Sequence, residues 1–212
     1  MALTVIVDYG MGNIKSVAKA VAAVSGKNEV VISSDPKKVE VADRVVFPGQ
    51  GAMSDCLREL DARGLRETIE EAARNKPFLG ICIGLQMLFE FSEESGGSCL
   101  NLFEGKVVRF ANGKMEKGRK LKVPHMGWNN VRQESSHPLW RGIPDNGRFY
   151  FVHSYFVSAE QKNTVVGSTY YSQWFDSAVG SENVFAVQFH PEKSQALGLR
   201  LLSNFVNWDG CT

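Results

Sequence analysis

The chain has 212 residues, of which 43 % are hydrophobic and 22 % are charged, as is usual for a soluble globular domain. Its 24 basic and 23 acidic residues give a formal charge of +1, which argues against broad electrostatic capture of nucleic acid. No apolar run reaches the roughly 18 residues of a membrane span, and the amino terminus lacks a signal-peptide pattern. We therefore expect a cytoplasmic protein without a membrane segment. The four cysteines form no C-x-x-C pair, so no metal site and no disulfide framework are predicted.

Strands and helices are predicted to alternate along the first hundred residues. The apolar runs and turn signals predict strands over 3–8, 29–33, 44–47 and 77–81. Helical spacing predicts helices over 14–24, 54–63, 65–74 and from 83 to about 91. This alternation is typical of a parallel sheet that is covered by helices on both faces, with the active site at the carboxyl ends of the strands.

The second half of the chain is predicted to be rich in short strands. The clearest strands cover 149–152 and 184–189, and a helix over 196–208 closes the chain. The basic stretch 114–122 is interrupted by acidic and glycine residues, so it is interpreted as a solvated loop or hairpin. We find neither a repeat nor a long linker. The predicted fold class is therefore α/β: one domain over 1–212, with a mixed, mostly parallel sheet, helices on both faces and a β-rich second half.

The segment Gly-Ile-Cys-Ile-Gly at 80–84 is the most informative motif. A buried strand ends there and a helix begins at once, which places Cys82 on a sharp turn of the kind that exposes a nucleophile. The helix amino terminus favours a thiolate, and the amide of Ile83 could stabilise an oxyanion. The alternative is a buried structural cysteine between two packing glycines.

His190 is the best candidate for a base. It ends an apolar strand, and Glu192 stands two residues later, so that its carboxylate could orient the imidazole as in a catalytic triad. The alternative is a turn with a surface acid. His137 is expected at the surface, whereas His125 and His153 are expected to be structural or interfacial.

The loop Pro-Gly-Gln-Gly at 48–51 also follows a strand. The backbone at Gly49 and Gln50 could supply a second oxyanion donor, although an ordinary tight turn fits equally well. A dinucleotide fingerprint after the first strand fails because Lys15 stands where its third glycine belongs, and no P-loop occurs. No cofactor is therefore predicted.

Taken together, these motifs resemble the class I glutamine amidotransferases, and within them the glutaminase subunits of imidazole glycerol phosphate synthases. The similarity spans nearly the whole chain, in the segments 8–13, 48–51, 80–86, 124–129, 150–155 and 188–194. One departure concerns Gln50, since the family usually has an apolar residue there.

The resemblance implies a role for each matching residue. Cys82 would be the nucleophile, His190 the general base and acid, and Glu192 the group that orients His190. The oxyanion hole would use Ile83, Gly49 and Gln50. The glutamine substrate would be held by Gly51, Gln86, Ser154 and Tyr155. The partner interface would contain Trp128, Tyr150, His153 and Lys193.

A glutaminase that supplies a synthase must transfer its ammonia without releasing it into bulk water. The chain is too short to hold a second catalytic domain that would use the ammonia. A separate subunit is therefore implied, and the resemblance indicates a (β/α)₈-barrel cyclase that forms a heterodimer with this chain. Three alternatives remain: an amidotransferase subunit of another pathway, a cysteine hydrolase that acts alone, and an inactive regulatory module.

Overall fold

The structure is a computed structural model that describes residues 1–111, 113, 115–116, 119–120 and 122–211. The described residues form six α-helices: α1 Ile14–Val24, α2 Pro36–Glu40, α3 Met53–Ala62, α4 Arg66–Asn75, α5 Ile83–Gln86 and α6 Gln195–Val206. They also form fifteen strands: β1 Leu3–Val7, β2 Glu29–Ser33, β3 Arg44–Gly49, β4 Phe78–Cys82, β5 Phe89–Ser92, β6 Gly97–Ser98, β7 Phe103–Arg109, β8 Met115–Glu116, β9 Arg119–Lys120, β10 His125–Gln133, β11 Gly147–His153, β12 Tyr155–Ala159, β13 Val165–Tyr170, β14 Trp174–Ser181 and β15 Val184–Val187.

Five parallel strands lie side by side in the order β2-β1-β3-β4-β15. Every residue of β4 and of β15 is buried, which explains why these strands are apolar throughout rather than alternating. Gly49 pairs with Cys82, and Ile81 pairs with Val187. This register brings the carboxyl ends of three strands, with the candidate site residues, to one edge of the sheet.

The same sheet continues beyond β15 with β14, β12, β7, β5 and β6, mainly in antiparallel pairs. Strand β10 pairs along its length with β11 and at its end with β13. The predicted α/β class, with a mixed sheet and a β-rich second half, is confirmed. Strands β8 and β9 pair within the predicted hairpin, whereas residues 114, 117, 118 and 121 of that stretch lie outside the described residues.

The four longer helices, α1, α3, α4 and α6, bury one apolar face each. In α1 the buried side chains are Ile14, Val17 and Val21, spaced three or four residues apart. Helix α1 packs against α6, and α2 packs against α4, so the sheet has helical cover. None of the helices within the described ranges is long and apolar enough to cross a membrane.

The helix predicted from residue 83 to about 91 is wrong. Helix α5 ends at Gln86, and a strand begins at Phe89. Leu85, Met87, Leu88 and Phe89 are all fully buried. Where every side chain is apolar and buried, periodicity cannot separate a helix from a strand.

The surface position expected for His137 is also wrong, because this residue is 8 % exposed. Its ring packs against Phe185 and Trp208, and its Nδ1 accepts a hydrogen bond from the amide of Leu139. His137 therefore caps a short helical turn inside the core, a role that the sequence His-Pro alone does not reveal.

Candidate active site

Cys82 sits on a strained turn where β4 meets α5. Its backbone has φ 58° and ψ −110°, a region that residues other than glycine rarely adopt. A Cβ on Gly84 would overlap the carbonyl oxygen of Phe47 in β3, so only glycine allows α5 to lie this close to the sheet. The helix has only four residues, from Ile83 to Gln86, and so adds little dipole at the sulfur. The turn itself holds the cysteine in place.

His190 and Glu192 form a buried hydrogen-bonded pair just after β15. The distance from His190 Nδ1 to Glu192 Oε1 is 2.8 Å, and the two side chains are 5 % and 2 % exposed. Burial alone would lower the pKa of His190, but the neighbouring Cys82 and then Glu192 raise it to about 10. Nδ1 therefore donates to the carboxylate. Nε2 is buried and is the ring nitrogen left for Cys82, because Nδ1 is bound to Glu192.

Cys82 and His190 line one cavity of about 430 Å³, a volume suited to a small ligand. The cavity thus unites the ends of β4 and β15 with the loop after β3. Eight other residues from the sequence prediction line it as well: Gln50, Gly51, Ile83, Gln86, His153, Ser154, Tyr155 and Lys193.

The loop after β3 runs beside the nucleophile. Gly49 is the register partner of Cys82, and the next two residues, Gln50 and Gly51, line the cavity. The Cys56 thiol lies 3.6 Å from the carbonyl oxygen of Gln50 and donates to it. Burial raises the pKa of Cys56 to about 11, so this group stays a thiol donor. The Cys56 thiol on α3 therefore holds the Gln50 carbonyl in its orientation.

Sequence reasoning missed two polar residues of the cavity region, Gln188 and Glu94, besides the lining residues Pro124 and Val152. Gln188 is fully buried; its Nε2 lies 3.7 Å from Cys82 Sγ, and its Oε1 accepts from Gln86 Nε2 at 2.9 Å. A glutamine inside an otherwise apolar strand end was the available signal, since buried amides need partners. Glu94 lines the cavity from the turn after β5, and burial raises its pKa. Nothing in its local sequence indicated this position.

The four residues assigned to a partner interface do not share one environment. Trp128 and Tyr150 face each other across β10 and β11, with ring centroids 6.0 Å apart, and Trp128 is 38 % exposed. Lys193 is exposed and lines the cavity. His153 is 6 % exposed and hydrogen-bonds to His125, so we place it in a buried network.

Metal ligands are not gathered anywhere in the described part of the chain: no group of three or more histidine, cysteine, aspartate or glutamate side chains there could hold an ion. The site itself holds a thiol, an imidazole and a carboxylate, from Cys82, His190 and Glu192. A cysteine nucleophile, a histidine and an orienting acid together can transfer acyl groups.

The model of the family "Glutamine amidotransferase class-I" matches residues 5–208. The chain belongs to this family. Two solved structures from Thermotoga maritima share the fold: PurLQS, with a TM-score of 0.70, 20 % identity and coverage of 97 % of this chain and 98 % of that one, and a glutamine amidotransferase, with a TM-score of 0.61, 19 % identity and coverage of 90 % and 76 %.

Curated relatives narrow the assignment to one group of that family. A protein of Thiobacillus denitrificans is 58 % identical over 96 % of this chain and 90 % of its own length. One of Aromatoleum aromaticum is 58 % identical over 96 % and 97 %. One of Neisseria gonorrhoeae is 52 % identical over 97 % and 99 %. All three are named imidazole glycerol phosphate synthase subunit HisH, and the chain belongs with these HisH subunits.

Proposed function

We propose that this chain hydrolyses glutamine to glutamate and ammonia, as the glutaminase subunit of imidazole glycerol phosphate synthase in histidine biosynthesis. One observation carries the proposal: the strained Cys82 shares a cavity with His190, whose Nδ1 lies 2.8 Å from Glu192. Family membership and relatives at 52–58 % identity support the assignment to this synthase. We propose that the reaction takes place in the cytoplasm, where a reducing environment keeps free thiols such as that of Cys82 reduced.

In the first half-reaction, the Cys82 sulfur attacks the side-chain amide carbon of glutamine. His190 Nε2 already holds the thiol proton when the sulfur attacks, because its raised pKa favours the imidazolium, which Glu192 stabilises through Nδ1. The amide oxygen becomes an oxyanion, which the backbone N–H of Ile83 and one N–H from residues 49–51 stabilise. His190 then gives its proton to the leaving nitrogen, the carbon–nitrogen bond breaks, and ammonia departs from a glutamyl thioester.

In the second half-reaction, water takes the place of ammonia. His190 Nε2 removes a proton from the water as its oxygen attacks the thioester carbon. The carbon–sulfur bond then breaks, and His190 returns the proton to the sulfur. Glutamate leaves and the Cys82 thiol is restored. Each step uses the same imidazole and the same oxyanion donors, which is why a single crevice suffices.

The cavity offers complementary groups to the amino-acid end of glutamine. Gln86 Oε1 is buried and makes no hydrogen bond to a described group, so it can accept from the substrate ammonium. Glu94 adds a carboxylate on the same cavity wall. The backbone at Gly51, Ser154 and Tyr155 can bind the substrate carboxylate and side-chain amide.

We further propose that the ammonia passes to a (β/α)₈-barrel cyclase subunit in a heterodimer. Ammonia that escapes into water becomes ammonium, which is not nucleophilic, so transfer must occur in a covered path. The exposed Trp128 packs against the half-buried Tyr150 across β10 and β11, and aromatic residues are enriched among interface anchors. We therefore place the cyclase contact on this face.

The test is an assay of glutamine hydrolysis by the copurified complex and by the chain alone. The variant Cys82→Ala should lose at least about 10³-fold in kcat, because the nucleophile is removed. A matched control is Cys211→Ala, which removes an exposed free thiol and should leave kcat unchanged.

Two results would contradict the proposal. Hydrolysis that survives in Cys82→Ala would exclude this sulfur as the nucleophile. An electrophilic glutamine analogue that labels Cys211 in preference to Cys82 would do the same. Fast turnover without any partner would instead favour a hydrolase that acts alone, and failure of the analogue to label any cysteine would favour an inactive module.

A further inference from the structure

A chain of buried hydrogen bonds joins strand β10 to the wall of the cavity. His125 and His153 stand directly opposite each other across β10 and β11, and they are 3 % and 6 % exposed. His125 Nδ1 lies 2.9 Å from His153 Nε2. His153 Nδ1 lies 2.7 Å from the carbonyl oxygen of Tyr155. Neither histidine takes part in the hydrolytic steps described above.

The acceptor atoms determine which nitrogen of each histidine carries the proton in this row of hydrogen bonds. A carbonyl oxygen can only accept, so His153 Nδ1 carries the hydrogen and donates to Tyr155. Burial lowers the pKa of His153 to about 3 and that of His125 to about 4, so both rings are neutral at neutral pH. His153 Nε2 is therefore an acceptor, and His125 Nδ1 donates to it. His125 Nε2 in turn accepts from Asn129 Nδ2 at 3.3 Å.

The Tyr155 carbonyl links the two histidines to Gln86. It accepts a second hydrogen bond from Gln86 Nε2 at 3.0 Å, and the same nitrogen donates to Gln188 Oε1 at 2.9 Å. Gln86 Nε2 thus lies between two oxygen acceptors. A 180° rotation of the Gln86 amide would place its own Oε1 against both of these oxygens, which is unfavourable. This leaves Gln86 Oε1 as the buried acceptor without a partner on a cavity-lining residue.

We propose that His125 and His153 are positioning residues that hold the Tyr155 carbonyl, and through it the Gln86 amide, in the orientation that binds glutamine. This inference rests on the proposed function and assigns two further residues to substrate binding. Without the His153 N–H, the carbonyl keeps only the Gln86 donor, and peptide and amide are free to turn together. The loss should weaken glutamine binding more than it slows the chemical steps, since Cys82 and His190 are untouched.

The experiment compares three substitutions of His153 in the chain copurified with its partner subunit. His153→Leu removes both ring nitrogens. His153→Asn places an amide N–H near the position of Nδ1, whereas His153→Gln places it near Nε2, away from the Tyr155 carbonyl. The KM for glutamine and kcat are measured together, with the melting temperature of each sample.

We expect His153→Leu and His153→Gln to raise KM about tenfold, the effect of one lost buried hydrogen bond, with kcat changed by less than about threefold. His153→Asn should restore KM to within about threefold of the wild type. His137→Leu is the matched control, because it removes another buried histidine that caps a helical turn away from the cavity. It should lower the melting temperature and leave KM unchanged.

The outcomes separate this inference from the proposed function. A wild-type complex that does not hydrolyse glutamine overturns both. A wild-type complex that is active, with KM in His153→Leu within about twofold of normal, overturns the positioning role alone. If the Leu variant does not fold, the two amide variants decide, because equal KM values for Asn and Gln overturn the role as well.

Discussion

After Cys82, Glu192 contributes to the raised pKa of His190 through one buried hydrogen bond. In Glu192→Gln the negative charge is lost, so the imidazolium is less stable and the pKa of His190 falls from about 10. A hydrogen bond to a charged group contributes about 1.5–3 kcal/mol, and one pKa unit corresponds to about 1.4 kcal/mol. We therefore expect the basic limb of the kcat/KM profile to move to lower pH by about one unit or more, and kcat to fall about 10²-fold.

The pH profile of glutamine hydrolysis checks this prediction. The basic limb reports loss of the His190 proton that the leaving nitrogen needs, so the limb should shift while the acid limb, which does not report this proton, stays near its place. Glu29→Gln changes an exposed carboxylate on β2 and should leave the profile unaltered. An unchanged basic limb in Glu192→Gln would mean that this acid does not act through His190.

The turn between β4 and α5 depends on the absence of one side chain. In Gly84→Ala the new Cβ would overlap backbone of β3 at Phe47, and neither strand nor helix can yield cheaply. We expect a loss of about 3 kcal/mol in the free energy of unfolding. Because the same displacement moves Cys82, kcat should fall by about 10²-fold or more in the folded fraction.

Denaturant unfolding together with kcat tests the role of this contact. Gly97→Ala is the control, because a Cβ at Gly97 meets nothing within 4 Å. Its free energy of unfolding should change by no more than about 0.5 kcal/mol. Equal stability of the two alanine variants would show that α5 can move away from β3 without cost, contrary to the packing seen at Gly84.

The elements that sequence patterns predicted well are those with one unambiguous period or a clear boundary. Helix α1 has apolar residues at helical spacing and begins and ends as predicted. Strand β4 is short, wholly apolar and bounded by a turn. The failure over 83–91 arises because Met87, Leu88 and Phe89 are buried on all sides, which erases the period. Helix α2 was not predicted, although Asp35 caps it by accepting from the amide of Lys37.

At the level of the complete fold, parallel topology explains why the candidate triad could be predicted without coordinates. The carboxyl ends of parallel strands meet at one edge of a sheet. A cysteine at the end of β4 and a histidine just after β15 therefore share a cavity if the two strands are neighbours. The pairing of His125 with His153 had no such signal. It depends on the register of β10 against β11, which is set by the intervening loop and by side-chain packing rather than by any local motif.

The proposed assembly with a cyclase subunit yields a prediction for the exposed face of β10 and β11. Trp128 is 38 % exposed and packs edge-on against Tyr150, so truncation removes a large aromatic surface without opening the core. An aromatic anchor at a protein interface contributes about 2 kcal/mol or more, so Trp128→Ala should raise the Kd of the heterodimer about 30-fold. Val41→Ala is the control, since Val41 is 70 % exposed and lies at the end of α2, outside β10 and β11. Titration calorimetry of each variant with the cyclase measures Kd, while thermal unfolding shows whether the fold is intact. An intact Trp128→Ala variant that binds as tightly as Val41→Ala would remove this face from the interface.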